Sequence, residues 1–204
     1  MKRCWLLLIA SSLLAAEGPT LFYSKSFPGS NPPYVEITLS KDGGVAFREA
    51  PNEDNPLQFQ MKETETQEIF ALVEKTGSLK RPLEAPVKVA FMGTKTFRLE
   101  NGAEKTEVKF NYTQDAAGQA LADWFERVTE TALHRIDLER TAKYDKLGVL
   151  QSLLELEISM DKKRLVGAEQ FLPLLDRIIN NESYMHTARA RAAEIESLIR
   201  NPKP

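Results

Sequence analysis

The chain has 204 residues, with 27 lysines and arginines against 29 aspartates and glutamates and a single cysteine. So even a balance offers no basic excess for phosphate backbones, which argues against nucleic-acid binding. The lone thiol, Cys4, leaves the rest of the chain without disulfides, thiol catalysis or thiolate metal sites.

Lys2 and Arg3 precede an apolar run from Trp5 to Leu14, which ends in Ala15-Ala16 and turns polar at Glu17. A basic start, a short apolar stretch and small residues at its end read as a secretory signal peptide over residues 1–16. The run falls short of the roughly 20 apolar residues that span a bilayer. Cleavage after Ala16 puts Leu14 where a small side chain fits better, so an uncleaved N-terminal anchor is the alternative. Cys4 lies before the apolar run and not after it, which argues against a lipid anchor there. The expectation is an exported bacterial protein, periplasmic or extracellular, with no membrane association once the signal is cut. Without Lys2 and Arg3, the 27 basic residues become 25 against 29 acidic ones, a mildly acidic mature chain.

Residues 17–113 carry β patterns. The segment Leu21 to Phe27 is a candidate edge strand. Val35, Ile37 and Leu39 alternate with polar neighbours, the period of a strand with one buried face. Lys41-Asp42-Gly43-Gly44 supplies a hairpin turn, and Val45 and Phe47 continue the buried face on the return. Leu57, Phe59 and Met61 alternate again. Over residues 64–76 the period becomes helical, with Ile69, Leu72 and Val73 on one face, a capping box from Thr64 to Gln67 and a stop at Gly77.

After Pro82 and Pro86, alternation resumes at Val87, Val89 and Phe91, which predicts another strand. Phe97 and Leu99, the Asn101-Gly102 turn, and Val108, Phe110 and Tyr112 predict a further hairpin. A helix follows from about Asp115. Two hairpin-helix units, residues 35–76 and 87–131, can cover one face of a single antiparallel sheet. The opposite face carries Glu36, Thr38, Arg48, Lys88, Arg98, Lys109 and Asn111, and is expected to be polar and wet.

The remainder is helical. Leu121, Trp124, Phe125, Val128 and Ala132 share one face. Residues 144–160 are apolar nearly all round, which predicts a helix enclosed by neighbours. Phe171 to Ile179 forms another helix, with Pro173 in its first turn. Tyr184, Ala188, Ala192, Ile195, Leu198 and Ile199 line the last one. The expected fold class is α+β: an antiparallel sheet built from two hairpin-helix units, followed by a C-terminal antiparallel helical bundle. The expected divisions are a signal over 1–16, a sheet with covering helices over 17–131 and a bundle tail over 132–204.

Chemistry-bearing patterns are few. His134 shares a helix face with Glu130 and Asp137, and a solvated face with ordinary ion pairs is weighed well above a metal site. His186 reads as a surface or packing residue. There is no Gly-rich phosphate loop and no HExxH, GxSxG or SxxK pattern. Glu53-Asp54-Asn55 lacks the alternating oxygens of a calcium loop. Lys162-Lys163-Arg164 reads as a solvated turn, and Arg189 and Arg191 diverge around their helix. Asn111 and Asn181 begin glycosylation sequons that matter only in a eukaryotic secretory pathway. No catalytic, cofactor or metal residue is assigned.

Asp176 to Tyr184, followed by Ala188-Arg189-Ala190-Arg191-Ala192, resembles uncharacterised exported bacterial proteins with a strand-pair and helix repeat and a helical tail. That resemblance implies no activity and carries no functional residue. The expected function is non-catalytic: binding a protein partner in the cell envelope, or supporting an assembly there. An envelope hydrolase or carbohydrate-active protein using dispersed carboxylates is the alternative, and a small-ligand carrier with a pocket between sheet and bundle is a third reading. The places to look first are the polar sheet face, where Arg48, Arg98 and Lys109 could meet, and the seam between the halves.

Overall fold

The computed structural model describes residues 18–201, and the signal read over residues 1–16 lies outside them. Six antiparallel strands form one sheet: β1 (Thr20–Ser26), β2 (Tyr34–Ser40), β3 (Gly44–Arg48), β4 (Leu57–Gln60), β5 (Thr94–Asn101) and β6 (Glu104–Phe110). Their order across the sheet is β4-β3-β2-β1-β5-β6. The first strand is therefore central and not at an edge, as its sequence suggested. It pairs with β2 on one side, Tyr23 opposite Ile37, and with β5 on the other, Tyr23 opposite Phe97. The two hairpins flank it, each leading to a helix: α1 (Glu63–Lys75) after β4 and α2 (Ala116–Tyr144) after β6.

Alternation decides the faces. Leu21, Tyr23, Ile37, Leu39, Val45, Phe47, Phe97 and Val108 point inward and are buried. Ile69, Phe70 and Val73 of α1 and Leu121, Trp124, Phe125 and Val128 of α2 cover that face and complete the core. Phe125 stacks on Tyr23 with ring centres 4.8 Å apart and lies 5.5 Å from Phe97. The start of α1 differs from the expected box: Lys62 is the cap, and Glu65 reaches back to accept its backbone N–H at 3.0 Å. Asp115 caps α2 by accepting the Gly118 N–H at 2.8 Å. That bond, with Arg81 beside it, holds the Asp115 carboxyl below its usual range.

A second core lies beyond Ala132. Leu138 and Ala142 of the same α2 pack with α3 (Val149–Asp161), α4 (Leu172–Ile179) and α5 (His186–Arg200). The apolar run over residues 144–160 is not enclosed all round. Val149, Leu153 and Leu156 are buried, whereas Tyr144, Leu147 and Ile158 are at least half exposed. Tyr144 and Leu147 stand at the corner between α2 and α3, where no further element is packed over them among the described residues.

The stretch after α3 ties the two cores together. Val166 is buried in the first core and its N–H donates to Thr131 Oγ1 at 3.1 Å. The next residue needs glycine for two reasons. Gly167 has φ +52°, and a Cβ there would stand 2.5 Å from the Gln60 carbonyl oxygen. The backbones pass too closely for any side chain. The Gly167 N–H donates to Glu65 at 3.1 Å, so the loop is joined to the start of α1 as well.

Candidate functional site

The sheet face opposite α1 and α2 carries charged side chains of the strands. Arg48, Arg98 and Lys109 do share it, but each is neutralised by a carboxylate on the same face. Arg48 pairs with Glu36 at 3.2 Å, Arg98 with Glu100 at 2.9 Å, and Lys109 with Glu107 at 3.3 Å. The Arg98 guanidinium also lies over Phe22, 3.9 Å from the ring centre. An open trough of about 990 Å³ beside these pairs is lined by small polar groups such as Thr20, Thr38, Gln58 and Gln60. It is wide open to solvent and presents no concentrated charge. Two arginines of α5 are occupied as well: Arg189 donates to the Ile179 carbonyl at the end of α4, and Arg191 pairs with Glu157.

The seam between the halves holds more chemistry. The His134 imidazole is half-buried, not solvated as its spacing suggested, and its Nε2 lies 2.8 Å from the Ser159 Oγ on α3. Ser159 Oγ in turn donates to Glu130 Oε1 at 2.8 Å. A hydroxyl has one proton to give. With that proton on the carboxylate's side, the imidazole donates from Nε2 and cannot withdraw a proton from the serine. A nucleophilic triad needs the opposite polarity, with the carboxylate on the far ring nitrogen. The cluster is a structural brace between α2 and α3.

Arg164, read as part of a solvated turn, completes that brace. It donates to Glu130 Oε2 at 2.9 Å and to Asp123 at 2.6 Å. Burial alone pushes the Glu130 carboxyl up, but the bonds from Arg164 and Ser159 outweigh it and hold the carboxyl below its ordinary value. Hydrolysis of a glycoside needs a carboxyl that keeps its proton near neutral pH, and Glu130 does the reverse. Among the described residues, no three His, Cys, Asp or Glu side chains gather as a metal ion requires.

The brace carries a pH signature. Burial holds the His134 imidazole below its ordinary value of 6.5, against the pull of Glu130, Glu155 and Asp137. The unfolded chain therefore binds the proton more readily. The stability this group contributes is present above about pH 6.5 and is lost as the pH falls through the native value. The urea midpoint of the wild type should drop more between about pH 7 and 5 than that of His134→Gln. Parallel profiles would show that His134 is not desolvated.

Beside the brace lies a cleft of about 330 Å³ between β1, the turn at Ser30-Asn31-Pro32, and α2. Tyr23, Val35 and Leu133 line it, with Lys25, Glu126, Glu130 and Arg164 as its charged groups. Lys25 and Glu126 approach to 3.6 Å. The Tyr23 hydroxyl is shielded from solvent and has no hydrogen-bond partner among the described residues. Burial, with the Glu126 charge nearby, pushes its pKa far up, so the phenol stays neutral.

The third feature is a ridge where a strand was expected. Residues 87–92 form no ladder, because both edges of β5 are already taken by β1 and β6. Val87, Val89, Phe91 and Met92 are 43–57% exposed, and Tyr112 stands exposed beside them. The Asn111 side-chain amide takes the place of a neighbouring strand. Its Nδ2 donates to the Ala90 carbonyl at 3.1 Å, and its Oδ1 accepts from the Met92 N–H at 2.7 Å. The Ala85 N–H donates to the Tyr112 carbonyl at 2.9 Å, and the Phe91 ring meets Phe27 edge-on at 6.1 Å. The ridge is thus pinned along one side and open along the other.

Of the residues singled out by sequence, the structure joins His134 to Glu130 and adds Ser159 and Arg164, which spacing could not supply. His186 is exposed at the start of α5, far along the chain from that cluster. Tyr23 gave no signal in the sequence, because its alternation marks it simply as an inward strand residue. Compared with models of protein families and with curated proteins, the chain matches none.

Proposed function

We propose that this chain is an exported, non-catalytic protein that binds a partner protein of the cell envelope through the ridge at residues 87–92. The observation that carries the reading is that Val87, Val89, Phe91 and Met92 stand clear of both cores on a segment pinned by the Asn111 side chain. Contiguous exposed apolar side chains of this kind mark interaction surfaces more often than they mark idle surface. Taking each from about half exposure to burial is worth about 1 kcal/mol. Four together contribute about 4 kcal/mol before the costs of association are met. The free side of the ridge also offers backbone groups to an added strand, and its period-two side chains fit alternate pockets of such a partner.

The test is crosslinking of the full chain in its native envelope, comparing the wild type with a Val89→Asp, Phe91→Asp double variant. Neither residue belongs to a core, so the variant should melt within about 0.5 kcal/mol of the wild type. One stoichiometric protein partner is expected with the wild type and not with the variant. Equal recovery from both, or no partner from either, rejects the ridge as the interface.

A further inference from the structure

We propose that the cleft between β1, the turn at Ser30-Asn31-Pro32 and α2 binds a small zwitterion of the α-amino-acid class. Its carboxylate is received by the Tyr23 hydroxyl and Lys25, and its ammonium group by Glu126.

The starting point is the Tyr23 hydroxyl. It is buried in the cleft wall with no partner among the described residues, an unfavourable condition for a polar group. The ring itself needs no hydroxyl, since it packs among Phe97 and Phe125, and a phenylalanine would fill the same place. A neutral phenol in such a place is a donor without an acceptor. The cleft that it lines supplies room for one.

The charges then select the class of ligand. Lys25 and Arg164 are balanced by Glu126 and Glu130, so neither a plain anion nor a plain cation finds a favourable net field there. A molecule carrying both signs meets a partner for each. The two pairs differ in how firmly they are closed. Arg164 and Glu130 are fixed by Ser159 and Asp123 and act as a rigid wall. Lys25 and Glu126 stand 3.6 Å apart and partly exposed, a contact worth little in water. A zwitterion can enter between them, exchanging one weak pair for two, in a cleft that Tyr23 also lines. Val35, Leu133 and Pro32 provide the apolar wall for a side chain. A volume of about 330 Å³ is at the small end for ligand sites and limits the occupant to a few more atoms than an amino acid or dipeptide.

The site is separate from the ridge, so the test does not depend on a protein partner. The full chain is titrated calorimetrically with each of the twenty common L-amino acids. N-acetyl-leucinamide, which lacks both charges, and glycerol serve as controls. Saturable binding of at least one amino acid is expected, with none of the capped compound or glycerol. Tyr23→Phe should weaken that binding about tenfold or more, while the ligand-free variant melts at the same or a higher temperature because an unpartnered hydroxyl has been removed. A Lys25→Met variant should weaken it as well. The proposal is overturned if no amino acid binds with a Kd below about 1 mM. It is equally overturned if the controls bind as well, if Tyr23→Phe leaves affinity unchanged, or if that substitution destabilises the ligand-free chain.

Discussion

Replacing Phe125 by alanine should lower the free energy of unfolding by about 3–5 kcal/mol. The ring is fully buried at the centre of the first core, stacked on Tyr23 and set against Phe97. Aromatic contacts of this geometry add about 0.5–1.5 kcal/mol to the burial itself. The cavity has little chance to collapse, since one wall is a six-stranded sheet and the other is the middle of a 29-residue helix. Against a total stability of about 5–15 kcal/mol, the loss is a large fraction. A urea melt followed by the fluorescence of Trp124 measures it directly. A loss under about 1 kcal/mol would mean that the aromatic cluster is not packed as described.

Leu153→Ala should cost about 2–5 kcal/mol, and the more informative result is where that loss is seen. Leu153 is fully buried in the second core, whereas Trp124 belongs to the first. The helix α2 serves both cores, contributing Leu121 to Ala132 to one and Leu138 and Ala142 to the other. Val166 and Gly167 add a second tie, through Thr131 and Glu65. The fluorescence transition of Trp124 should therefore shift to lower urea together with the loss of helical circular dichroism. Coincident transitions are the mark of one cooperative unit. A Trp124 transition that stays in place while helical signal is lost early would show the bundle melting by itself.

The strands and helices were legible where side chains choose between a buried and a wet face. Val35, Ile37 and Leu39, the turns at Gly43 and Gly102, and the helical spacing of Ile69, Leu72 and Val73 each report a local preference that the fold honours. Residues 87–91 show the limit of that signal. Alternation says that a segment is extended with one apolar side, but not whether a ladder edge is vacant for it, and here β1 and β6 had taken both edges of β5. The central place of β1 was hidden for a related reason, because strand order depends on pairings between Ser26 and Thr94 that lie far apart in sequence. The neighbours of His134 were half legible: Glu130 and Asp137 follow from helix geometry, whereas Ser159 and Arg164 arrive by tertiary packing. The lining of the cleft was not legible, since its walls come from two strands, one turn, one helix and a single arginine beyond α3.

The position of β1 has a consequence for the order in which the chain can close. A nascent polypeptide made as far as α1 already holds β2, the partner of one side of β1, with β3 and β4 beyond it. The other side of β1 waits for β5, and no local contact shortens that wait. Closing so long a loop is paid for in chain entropy before any ladder bond returns it. Until then Leu21 and Tyr23 sit on a strand with a bare hydrogen-bonding edge, the kind of template on which unrelated chains add and aggregate. A fold whose first strand is its midline is thus most vulnerable halfway through its own synthesis, and least so once the Asn101-Gly102 hairpin has docked.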